Sequence, residues 1–110
     1  MALYLNDITS NANNLTNVNT VTEVTTSLPF AASTSAAGFT AASSQRLTAA
    51  DSTSLSITGD MTNELWVKFS SLPSSLNRMA FVAKWKHTGG DARSWSFGLY
   101  NNSGTYQFYF

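Results

Sequence analysis

Six carboxylates and one imidazole are the groups in this 110-residue chain that could move protons or grip a hard cation: Asp7, Glu23, Asp51, Asp60, Glu64, Asp91 and His87. Hydrolysis of a sugar bond by two acids needs carboxyl groups about 5–10 Å apart across a cleft. No two of these acids lie within three residues of one another, so no local pair offers that geometry. Glu64 sits mid-strand and reads as a structural or solvent-facing residue. With one histidine there is no His-based metal site, and a Ser–His nucleophile would have to use His87. Cysteine is absent, which excludes disulfides, thiolate metal sites and Cys nucleophiles. The expectation is a protein that is not an enzyme.

Recognition is the chemistry left. Sugars are held by aromatic faces flanked by hydrogen-bonding side chains. Residues 84–95, KWKHTGGDARSW, carry those types around a Gly-Gly loop. Trp85, His87, Asp91 and Arg93 are therefore the candidate ligand-binding residues. A core role competes for both tryptophans. Trp95, Phe97 and Leu99 alternate as one inward face, and Trp85 continues the face of Met79, Phe81 and Ala83. Asn14-Leu15-Thr16 and Asn101-Asn102-Ser103 match the N-glycosylation pattern, a frequent match in an Asn-rich chain.

Electrostatics narrow the partners. Six basic and six acidic residues give a net charge of zero, and the basic ones are scattered, so nothing marks a nucleic-acid surface. Solubility rests on 40 Ser, Thr and Asn residues. No run is long and apolar enough to span a bilayer as a helix. The opening MALYLND lacks the basic and apolar regions of a Sec signal. No membrane insertion is expected. An extracellular, cell-surface or virion location would be reached by another route.

The elements that must position these groups are strands. Apolar residues at helical spacing are almost absent, whereas short β-branched and aromatic runs recur between Ser/Asn/Gly clusters. Strands are predicted near 2–5, 18–24, 37–40, 46–49, 62–69, 79–85, 95–100 and 105–110. Turns fall at Asn11–Asn14, Thr58-Gly59-Asp60, Leu72–Ser75, Thr88–Asp91 and Asn101–Gly104, the last as a hairpin loop. The length allows one domain, 1–110, whose leading segment 1–27 is polar and loosely packed. The strand 62–69 has large apolar residues on both faces, as a covered central strand would.

The order F-x-x-x-S-S-Q-x-L-T-x-x-D-S-x-S-L-S-I-T-G-D-M-T-x-E-L-W-V-K-F, from Phe39 to Phe69, resembles the laminin-G-like branch of the concanavalin A-like lectin/glucanase superfamily. Phe81–Trp85 resembles that family's next strand, and Trp95–Tyr100 with Tyr106–Phe110 resembles the hairpin that follows. Asp7–Asn17 is similar to the family's Asn/Gly-rich opening. The resemblance implies an all-β fold, an antiparallel jelly-roll β-sandwich. In it Leu65, Val67, Phe69, Phe81, Val82, Phe97 and Leu99 are expected to be buried, and Trp66 to pack under neighbouring strands. Three departures stand out: Phe39-Thr40-Ala41 replaces the usual Phe-Asp-Gly, Asn63 replaces an apolar residue, and the chain stops about halfway through the family's domain.

The glucanase relatives carry an E-x-D-x-x-E strand that this sequence lacks. Some laminin-G domains bind Ca2+ through loop carboxylates, which makes Asp51, Asp60 and Asp91 the corresponding candidates, although single Asp residues in turns usually cap the turn itself. The resemblance thus implies a non-catalytic carbohydrate-binding or adhesion module for a glycan or cell-surface polysaccharide. The other reading is a structural or decoration protein of a phage tail or virion with the same fold. Either self-association through the edge 105–110 or marginal stability with aggregation is expected, because an unpaired aromatic edge is a template for strand addition.

Overall fold

The Asn- and Thr-rich opening does not run as one strand through 18–24. It divides into β1 (Leu15–Val18) and β2 (Thr22–Val24). Between them Asn19 and Thr20 both take φ near +60°, a region that Asn tolerates better than most residues. The Asn17 side chain closes this turn: its Nδ2 donates to the Val21 carbonyl at 2.9 Å, and the Val21 N–H donates back to its Oδ1 at 2.7 Å. An amide side chain thereby supplies the two bonds that a facing backbone would.

The computed structural model describes residues 5–86 and 92–110, with side chains for all but 86, 92 and 93. These residues form two compact units, divided at Ser54/Leu55. The first contains β1, β2, β3 (Ala36–Gly38) and β4 (Arg46–Ala49). β1 pairs antiparallel with β4, and β2 with β3. Val21 is its one buried apolar side chain among the described residues, 3% exposed. Side-chain amides tie its loops. Gln45 accepts from the Thr40 N–H and donates to the Thr20 carbonyl, both at 2.6 Å. Asn19 Nδ2 donates to the carbonyls of Ser43 and Ser44. In the opening loop Asp7 accepts from the backbone N–H groups of Thr9 and Asn13, while its own N–H donates to Asn14 Oδ1.

The second unit is one antiparallel sheet in the order β5–β6–β7, formed by Arg78–Lys86, Ala92–Asn102 and Thr105–Tyr109. The predicted hairpin is present: Asn102 pairs with Thr105 across a two-residue loop, Ser103 and Gly104, both at positive φ. That pairing of angles matches the twist of the flanking strands. Helix is confined, among the described residues, to two single 3-10 turns, Ala41–Ser43 and Thr53–Leu55. The fold class is all-β and antiparallel.

The expected central strand 62–69 is a correction: these residues join no sheet. Their alternation survives except at Val67, which is exposed. Met61, Asn63, Leu65 and Phe69 are half-buried, whereas Thr62, Glu64, Trp66 and Lys68 are exposed. The segment is held by its side chains, which meet the aromatic face of the β5–β7 sheet, and not by a hydrogen-bonded ladder. Trp66, expected to be packed under neighbours, is 71% exposed. Of the seven residues expected to be buried, Leu99 is (5% exposed); Leu65, Phe69, Phe81 and Phe97 are half-buried, and Val67 and Val82 are exposed. One layer of side chains over a three-stranded sheet leaves their outer edges uncovered.

Gly98 sits between Ala80 and Tyr109 in the register, and the Tyr109 phenol lies across it. A Cβ at this position would run into the Met79 carbonyl oxygen and lie 2.7 Å from the Tyr109 hydroxyl. Gly98→Ala is therefore expected to destabilise the second unit by about 1–3 kcal/mol, the usual cost of overpacking, read as a lower urea midpoint by tryptophan fluorescence. In the first unit the N–H of Thr9 foremost, with the Thr9 side chain and the Asn13 N–H, holds the Asp7 carboxyl below its usual value of 3.8. A depressed carboxylate stabilises the fold above the unfolded-state pKa, and that contribution is lost as pH falls through the folded-state value. Amide-exchange protection of Thr9 and Asn13 is expected to fall as pH drops below about 4, and to be low at every pH in Asp7→Ala.

Candidate functional site

The predicted ligand-binding set is only partly visible. His87 and Asp91 lie outside the described residues, as does the Arg93 side chain. Trp85 is described: it is 45% exposed at the end of β5, which corrects its expected place in the core. A register shift explains this: between Ala80 and Val82 β5 carries one extra residue, Phe81, whereas the second shift, between Lys84 and Trp85, places its extra residue, Ser94, in β6. Each extra residue in a strand reverses the alternation beyond it. The run Met79, Phe81, Ala83, Trp85 therefore does not stay on one side. Trp95 is half-buried, with its indole Nε1 buried and unpaired among the described residues.

Of the metal candidates, Asp51 is exposed between β4 and the second 3-10 turn, and Asp60 is exposed in the loop before residue 61. Asp91 lies outside the described residues. Among the described residues no three His, Asp or Glu side chains gather where a cation could sit.

The β5–β6–β7 sheet has two chemically different faces. On one, Phe81, Phe97 and Phe108 meet ring to ring: Phe81–Phe97 centroids are 5.6 Å apart and nearly perpendicular, and Phe97–Phe108 are 6.3 Å apart and stacked. Phe69 reaches Phe81 at 5.7 Å. With Leu65 and Val67 these rings line an open apolar cleft of about 230 Å³. It holds no charged group and serves packing.

The other face is built for polar contact. Residues directly opposite in an antiparallel ladder point to the same side. One row across the sheet is Arg78, Tyr100 and Gln107, and the next is Ala80, Gly98 and Tyr109. The Arg78 guanidinium lies over both tyrosine rings, 5.1 Å from the Tyr100 centroid and 5.5 Å from that of Tyr109. Ser96 Oγ is 3.4 Å from the Tyr109 hydroxyl. Two phenols and a cation stand above a floor of Gly and Ala.

Asn101 sets this arrangement. It is buried, 5% exposed, and bonded on every side. Its Nδ2 donates to the Pro73 carbonyl at 2.8 Å and its Oδ1 accepts from the Gly104 N–H at 2.7 Å. Its N–H donates to the Asn77 carbonyl, and its carbonyl accepts from the Leu76 N–H. The chain entering β5 is thus fixed beside the end of β6, one residue before Arg78. The same burial means that Asn101, despite its glycosylation pattern, has no free amide in the folded protein.

Sequence reasoning passed over Arg78, Tyr100 and Tyr109. The available signal was the placement of Tyr109 opposite in sense to Tyr106, Phe108 and Phe110; what it would meet depended on register.

No family model, curated protein or solved structure matches the chain. Among the described residues no helix is long and apolar enough to cross a membrane.

Proposed function

We propose that the chain is a non-catalytic carbohydrate-binding or adhesion module with a concanavalin A-like jelly-roll plan, acting outside the cell or on a virion. The observation that carries this reading is the polar face of the β5–β7 sheet, where Tyr100 and Tyr109 lie beneath Arg78 beside small residues. The guanidinium, the phenol hydroxyls and the neighbouring Gln107 and Ser96 suit the hydroxyls of a sugar. The β6–β7 hairpin fits the resemblance at Trp95–Tyr100 and Tyr106–Phe110. Exposed Trp85 extends the surface toward the loop that follows it. Affinity at so shallow a site is weak and rises by multivalency.

A second reading, a structural protein of a tail or virion that packs against its own copies, is favoured by one observation: Phe108 and Phe110 are 70% and 74% exposed at the outer strand of the sheet. Such aromatics suit a contact between subunits.

Two measurements separate these readings. On an oligosaccharide array the protein is expected to bind, and Tyr109→Ser is expected to weaken binding several-fold, in line with about 0.5–1.5 kcal/mol for a lost aromatic contact, with the melting temperature of the variant recorded alongside. An array with no bound sugar, together with light scattering that shows stable oligomers dissociated by Phe108→Ser, would place the chain in the structural class.

A further inference from the structure

We propose that Arg78, Tyr100 and Tyr109 form a subsite for a carboxylated sugar, so that the polysaccharide recognised is one containing uronic acid residues. This rests on the carbohydrate-binding reading above and names the ligand class for that site.

The inference begins with what Arg78 does not do. Its guanidinium is exposed and forms no ion pair or hydrogen bond among the described residues; its contacts are the two tyrosine rings. Asp60 and Glu64, the described acids of this unit, do not pair with it. A surface arginine with nothing to bind samples many rotamers. This one lies over two rings, which hold the flat face of the guanidinium by cation–π attraction and leave its edge of N–H donors free. That edge is a fork that matches a carboxylate with two parallel hydrogen bonds. Pre-placing the fork lowers the entropy lost on binding.

The surroundings fit one negative charge on a sugar. Among the described side chains Arg78 is the one cation on this face: Lys84 stands opposite Trp95, on the side of Phe97, and donates to Ser56 Oγ, and Lys68 lies outside the sheet. Among the described side chains one guanidinium stands on this face of a chain of net charge zero, and one fork suits a single carboxylate. Gln107 stands opposite Tyr100 and Ser96 beside Tyr109, close enough in the register to meet hydroxyls on a ring whose carboxylate reaches Arg78.

The test uses one sugar in two charge states. Trigalacturonate and its methyl ester are titrated into the protein by NMR or calorimetry, against neutral cello- and manno-oligosaccharides. Trigalacturonate is expected to bind at least tenfold more tightly than its methyl ester, to weaken as salt rises, and to shift the amide resonances of residues 78, 100 and 109. Arg78→Leu is expected to remove that tenfold preference with the melting temperature nearly unchanged. Arg78→Lys keeps the charge without the fork and is expected to retain only part of it. Equal affinity for acid and ester, or a preference that survives Arg78→Leu, overturns the uronate subsite while leaving carbohydrate binding in place. Binding of the neutral sugars alone does the same. Binding of none of these sugars overturns both.

Discussion

One buried asparagine organises the second unit. Asn101 uses its backbone N–H, its backbone carbonyl and both ends of its amide, and each bond ties a different part of the chain. The Pro73 and Leu76 contacts anchor the loop that enters β5. The Gly104 contact closes the β6–β7 hairpin. The Asn77 contact sets the register in which Arg78 faces Tyr100. A buried amide left unpaired costs about 1–3 kcal/mol, so a structure that satisfies all its groups is selected sharply over slipped alternatives. The polar face of the sheet is a consequence of that register.

The same device recurs in the first unit in exposed form. Asn17 closes the β1–β2 turn, Asn19 holds the 3-10 turn at Ala41–Ser43, and Gln45 joins two loops. Asp7 gathers the opening loop on its carboxylate. Short strands of three or four residues make few ladder bonds, and few apolar side chains are buried here. Amide side chains supply directional bonds where burial is thin. The abundance of Asn therefore has a structural reason beyond solubility, as donors and acceptors for otherwise open backbone.

The two faces of the β5–β7 sheet divide labour. The Phe81, Phe97 and Phe108 rings with Leu65, Val67 and Phe69 give the sheet its cohesion through non-directional burial. This is why residues 61–69 are held there without a ladder. The opposite face is free of that duty, and its tyrosines and arginine are placed by strand pairing alone. The cost of a cover only one segment thick is visible in the exposure of Val67, Val82 and Phe108.

The sequence by itself determined the all-β class, the strands at 46–49, 79–85, 95–100 and 105–110, and a hairpin loop within Asn101–Gly104, which pairing narrows to Ser103-Gly104. These depend on local properties: β-branched and aromatic runs, and a Gly that accepts positive φ. The alternation of 61–69 was legible too, because period-2 burial needs only one face to be covered. Tertiary structure decided what that segment pairs with, since a ladder requires a neighbour that the pattern cannot specify. It also decided the sides taken by Trp85 and Val82, because a bulge in β5 at Phe81 resets the alternation without any local mark. Arg78 looked like one of several scattered charges. Its place over Tyr100 and Tyr109 comes from cross-strand register, fixed by Asn101 from more than twenty residues away, and register is a property of paired strands that neither strand carries alone.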